Sequence, residues 1–193
     1  MQPLPRWALL SSGSAPVLLV GGWAVAGALQ RSGYDPLTQT ISALAGYGAA
    51  YRWIMTGVMF AVGACYAATA AGLRGVAAPG RIALACGGAA SVLVALSPEP
   101  AAGPTLRHTA AAVVGVVALA VWPLLASERG PAARWVLRPW LAAAVTGLCL
   151  LSALWFLVSL RGDGPAGVAE RLVTGLEALW PFVVVAACVR GRR

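Results

Sequence analysis

Residues able to carry chemistry are few, because only 10% of this 193-residue chain is charged and it holds a single histidine. Two acids stand out. Glu170 and Glu177 lie seven residues apart, so on a helix they share one face, with Thr174 between them. At a rise of about 1.5 Å per residue, Glu177 sits about 10 Å further along than Glu170. Within a bilayer an acid at that depth costs roughly 2.5–3.5 kcal/mol on insertion scales. Acids retained at such a cost usually face the bundle interior and mark function. The plainer reading is a protonated structural acid bonded to a neighbour, with Tyr66, Ser91, Thr146, Ser152 and Arg52 as candidate partners.

His108 is the one side chain whose ordinary pKa lies near neutrality. It follows Arg107 at the end of a proline-rich stretch, SPEPAAGPTLRH. A lone interfacial histidine is more often a headgroup contact or helix-end donor than a catalyst. Carboxylates beside it can do acid–base chemistry, or they can form a fixed ion-pair network. The catalytic candidates are therefore Glu177, Glu170 and His108. Candidate ligand-binding residues are Asp35, Ser42, Arg52, Arg107 and Arg171. No second His or Cys stands at ligand spacing, so no metal and no cofactor are expected. No G-x-S-x-G, P-loop, H-E-x-x-H or dinucleotide fingerprint is present.

The elements that must position these residues follow from composition. The chain is 60% apolar, against about 45–50% in soluble domains, which also carry roughly 25% charge. A core of this size cannot hide so much apolar surface behind a polar shell. The expected fold class is all-α, a polytopic membrane protein built as a six-transmembrane-helix bundle in one domain over residues 1–193. Six runs approach the ~20 apolar residues that span a hydrocarbon core. They cover about 7–29, 53–73, 79–96, 108–126, 140–160 and 168–189. They are continuous and rich in Ala and Leu rather than alternating, which argues against a β-barrel. Arg6 and Ala24–Ala26 also fit a signal peptide, but the first apolar run is too long for one and reads as a retained span. Glycines in the first three spans fit close helix packing.

All fourteen basic residues are arginines, and the net charge is +8. They are spread through the connections with no interleaved basic and aromatic patch, so nucleic acid is not an expected partner. Nine arginines (6, 74, 81, 129, 134, 138, 190, 192 and 193) fall on the side of the termini and five on the other. That imbalance places both termini in the cytoplasm of an inner membrane. The four cysteines (65, 86, 149 and 188) lie inside apolar runs and read as buried thiols.

Asp35, Arg52, Arg107, His108, Glu170 and Glu177 all map to the outer half of the bundle. The longest connection, Gln30–Tyr51, is also outer. Its Leu37, Ile41 and Leu44 have helical spacing, which suggests a short amphipathic helix along the interface or a wall over an outer cavity. Asp35-Pro36 is a turn signal, and Thr38, Thr40 and Ser42 add hydroxyls.

The run LTQTISALAGYGAAYRWIMTGVMFAVGACYAATAAGLR resembles the bacterial membrane family known as domain of unknown function 998. The matching positions are Ser42, Gly46, Arg52, Trp53, Gly57 and Gly63. His108 opening the fourth span and Glu170-Arg171 opening the last are similar too. The resemblance implies six membrane helices and a distant similarity to the Frag1/DRAM/Sfk1 group, some of whose members are linked to lipid handling. It implies no established reaction. The stretch SALAG lacks the acid that the family often carries there.

The leading functional expectation is an outward-facing polar pocket that binds a lipid-like or isoprenoid molecule, with membrane lipids as the surrounding partners. A membrane-embedded acid–base enzyme acting on such a molecule is the first alternative. A small transporter or an accessory subunit of a membrane complex is the next.

Overall fold

The computed structural model describes residues 5–31, 33–100, 103–131 and 133–190. Arg192 and Arg193, counted above in the charge balance, lie outside the described residues, as do Ala101 and Ala102 of the proline-rich stretch. Six helices carry the fold: α1 (Arg6–Ala28), α2 (Trp53–Gly72), α3 (Ala78–Ala95), α4 (Leu106–Leu125), α5 (Pro139–Arg161) and α6 (Ala166–Arg190). Each is long and apolar enough to cross a membrane. No strand occurs among the described residues. In lipid a helix satisfies its backbone donors and acceptors within one segment, which is why runs of this composition fold so.

Each helix begins and ends within two residues of its expected span. Pro79 lies in the first turn of α3 and Pro139 opens α5, positions where proline removes no helical hydrogen bond. Thr105 caps α4 by accepting a hydrogen bond from the His108 backbone N–H.

Neighbours in sequence pack as neighbours in space, and α6 returns against α1 to close the ring. Large aliphatic side chains such as Leu10, Val17, Leu151 and Val158 point outward, while the interior is rich in Ala and Gly. This inverts the pattern of a soluble bundle and suits lipid, where close approach depends on small residues.

At the end of the bundle that carries the termini, the Arg134 guanidinium gathers three elements. It pairs with Glu128, donates to the Gly75 carbonyl at 2.8 Å, and donates to the Cys188 sulfur at 3.4 Å. The bonded Glu128 carboxylate raises the Arg134 pKa above its ordinary value.

At the opposite, distal end, the α1–α2 connection differs from expectation. The segment from Leu37 to Leu44 is no amphipathic helix. Turns carry the chain to a single 3-10 turn at Ser42–Ala45. The apolar spacing is there, but the residues part company: Ile41 and Leu44 are buried, whereas Leu37 is 60% exposed. Tertiary bonds replace helical ones. Leu37 O accepts from Val168 N at 3.1 Å, and Tyr47 N donates to Glu99 O at 2.9 Å. The Gln30 amide ties the two ends of the connection by bonding both N–H and carbonyl of Ala50. The connection thereby folds over the bundle as a wall.

Candidate functional site

Glu170 sits in the first turns of α6, directly beneath that wall. Its carboxylate is buried and accepts hydrogen bonds from the Ile41 backbone N–H and from Ser42 Oγ at 3.2 Å. A hydrogen bond is worth about 0.5–1.5 kcal/mol net, so this acid fastens the wall to α6. The next residue does the same from outside. Arg171 donates to the carbonyls of Pro36 at 2.9 Å, Gln39 at 3.1 Å and Gly167 at 2.8 Å, and to the Tyr34 hydroxyl. Burial raises the Tyr34 phenol above its ordinary pKa, against the nearby guanidinium, which pulls it down.

His108 is buried in the first turn of α4, with both ring nitrogens engaged. Nδ1 lies 2.8 Å from the Ser97 carbonyl. A carbonyl only accepts, so Nδ1 carries a hydrogen and donates. Nε2 lies 3.0 Å from Glu99 Oε1, and one proton is shared across that contact. Glu99 is the partner that sequence reasoning did not assign. It reaches His108 across a proline-rich connection whose path no local pattern predicts.

Glu177 lies two turns deeper on the same face of α6, at 1% exposure. Its Oε1 has no hydrogen-bond partner among the described residues. Of its expected partners, Ser91 Oγ donates to the Met59 carbonyl and Ser152 Oγ to the Leu148 carbonyl. The Arg52 guanidinium stacks on Trp53 at 3.9 Å and Tyr47 at 4.8 Å. Tyr66 and Ser91 line the same cavity as Glu177 without bonding it.

Two of the cavities in this half of the bundle reach the buried acids. The interior one, about 130 Å³, is lined by helices of the whole ring and by Glu170, Thr174 and Glu177. The other is a cleft of about 360 Å³ between α4 and α5. Thr40, Ser42, Glu99, His108 and Glu170 form its polar end, and Val113, Val117, Leu154 and Leu157 its apolar length. The two share a wall of Ser42, Ala112, Val116, Phe156 and Glu170.

The structure thus brings together Glu170, Glu177, His108 and Ser42 from the candidate residues. Asp35, Arg52, Arg107 and Arg171 line neither cavity. Asp35 is exposed and bonds its own turn, accepting from Leu37 N at 3.0 Å and Thr38 Oγ1 at 2.8 Å. Those donors hold its carboxyl below the ordinary carboxylate pKa. Arg107 points outward from the start of α4. Arg52 and Arg171 are engaged by their stacking and clamping contacts. No group of three or more His, Cys, Asp or Glu side chains at metal-binding distance occurs among the described residues.

The sequence matches the family described as "Protein of unknown function (DUF998)" over residues 14–187. No curated protein and no solved structure matches the chain.

Proposed function

The chain belongs to the DUF998 family, and from that premise we propose that its six-helix membrane scaffold binds an amphipathic molecule, lipid-like or isoprenoid, in the cleft between α4 and α5. The observation that carries this reading is the cleft's lengthwise division. A polar end at Ser42, Glu99, His108 and Glu170 continues into an aliphatic channel. Val113, Leu154 and Leu157 of that channel are themselves exposed on the outside of the bundle, so the cleft opens sideways to lipid. Its volume lies within the roughly 300–1,000 Å³ of small-molecule sites. A headgroup meets fixed polar groups while its chain replaces lipid contacts with protein contacts.

Binding is better supported than turnover. An acid–base enzyme working through His108 needs a ring nitrogen free to meet the substrate, and here both are already engaged, Nδ1 by the Ser97 carbonyl and Nε2 by Glu99. The arginine imbalance further supports an inner-membrane protein with both termini in the cytoplasm and the polar end of the cleft on the outer side.

The test is co-purification. Protein extracted from its membrane with native lipids, then analysed by lipid mass spectrometry, is expected to retain one lipid or isoprenoid class above its share of the bulk membrane. Ala112→Phe, which fills the wall shared by the two cavities, is expected to release that class while the helix content stays unchanged. A lipid profile equal to the bulk membrane in both proteins overturns the proposal.

A further inference from the structure

The interior cavity carries a statement about the charge of what binds. Its lining holds two acids, Glu170 and Glu177, and no arginine or histidine. Glu170 is already bonded to Ile41 N and Ser42 Oγ. Glu177 is not: it is 99% buried, lines the cavity, and presents an oxygen with no partner among the described residues. The Ser and Thr hydroxyls beside it on the lining have their hydrogens committed. Ser91 Oγ gives its hydrogen to the Met59 carbonyl, and Thr174 Oγ1 gives its own to the Glu170 carbonyl. Each oxygen keeps lone pairs as an acceptor. The Tyr66 phenol is the one lining hydroxyl among the described residues with its hydrogen uncommitted, so the cavity is poor in donors and has acceptors in surplus. Its volume, about 130 Å³, is well above the roughly 10–15 Å³ that a single water needs.

A buried carboxyl with an unpaired oxygen is costly to keep unless something donates to it. The complement of this lining is a cation with several N–H donors and an apolar body. We propose that the interior cavity receives the protonated amine of a single-chain lipophilic amine, with the ammonium on Glu177 and the chain passing Phe156 into the α4–α5 cleft. The proposal rests on the cleft as a binding site and adds the chemical class of the head. An ammonium offers three donors, and the cavity supplies oxygens from Glu177, Thr174, Ser91 and Tyr66. An anionic headgroup would meet two acids and no cation, so phosphate-bearing and carboxylate-bearing amphiphiles are rejected.

The experiment uses the full chain in lipid nanodiscs, with empty nanodiscs subtracted, and three probes of one chain length: dodecylamine, dodecanol and dodecanoate. Dodecylamine is expected to bind tightest. Glu177→Gln is expected to weaken it about ten- to a hundred-fold, as loss of a bond between charged partners does, and to leave dodecanol unchanged. If dodecanol binds as well as dodecylamine and Glu177→Gln changes neither, the amine assignment falls and the cleft reading stands. If none of the probes binds above empty nanodiscs, and the co-purified lipid profile equals the bulk, both readings fall. Should Glu177→Gln fail to fold, infrared difference spectra of the unmodified protein decide the matter. Dodecylamine is expected to perturb a buried carboxyl band that dodecanol leaves alone. No perturbation overturns the assignment.

Discussion

The Arg171 guanidinium presents five N–H donors in a planar fork, and the distal end of the bundle uses that shape. One side chain reaches carbonyls of Pro36 and Gln39 on the α1–α2 connection, the Gly167 carbonyl on its own helix, and the Tyr34 hydroxyl. A lysine is a point charge that cannot span these directions at once. Arg171→Lys is therefore expected to loosen the connection while leaving the helices intact. Amide hydrogen exchange at Gln39–Leu44 should quicken, and stability in detergent should fall by about 1–2 kcal/mol, the lower part of the range for bonds to charged groups because the site is partly exposed. Unchanged exchange at those amides contradicts the clamp. The same side chain shows what residue types conceal. By residue type alone, Arg171 is a candidate for a ligand's headgroup. In the structure two of its partners are backbone carbonyls more than 130 positions away in sequence, and carbonyls leave no mark in a sequence pattern.

Elements were more legible than sites, for a physical reason. A membrane helix must be apolar over its whole length, so composition alone marks it. The connections obey no such rule. Leu37, Ile41 and Leu44 carry helical spacing, yet Asp35 captures the Leu37 N–H and the Thr38 hydroxyl in a local turn, and α6 captures the rest. His108–Glu99 escaped for the same reason. Glycines show the distinction within the helices themselves. A Cβ added at Gly63 would lie 2.7 Å from the Gly88 carbonyl oxygen, and one at Gly88 would lie 2.7 Å from the Gly63 carbonyl oxygen. Here the backbones of α2 and α3 touch. Gly57, six residues earlier on α2, meets nothing within 4 Å among the described residues. The two are indistinguishable by sequence, but their substitutions are not equivalent. Gly63→Ala is expected to cost about 1–3 kcal/mol, as overpacking does. Gly57→Ala should be neutral or stabilise by up to about 1 kcal/mol through helix propensity. Thermal denaturation in one detergent compares them, and equal losses at both positions would refute the close α2–α3 contact.

For the molecule as a whole, the proposed binding depends on which side of the membrane the polar end of the cleft meets. The two ends differ in charge. Among the described residues, Arg6, Arg74, Arg81, Arg129, Arg134, Arg138 and Arg190 belong to the end with the termini. The distal end has Arg31, Arg52, Arg107, Arg161 and Arg171, offset there by Asp35, Glu99, Asp163 and Glu170. Basic residues near span ends are retained on the cytoplasmic side, so the distal end is expected to face outward. Asp163, exposed in the α5–α6 turn, and Arg129, exposed between α4 and α5, report the two sides. In a background without native cysteines, Asp163→Cys should react with a membrane-impermeant maleimide on intact cells. Arg129→Cys should react only after permeabilisation. The converse labelling would turn the bundle over. The polar end of the cleft, with His108–Glu99 and Glu170, would then draw its ligand from the cytoplasmic leaflet, and an amine headgroup bound beneath it would come from that side.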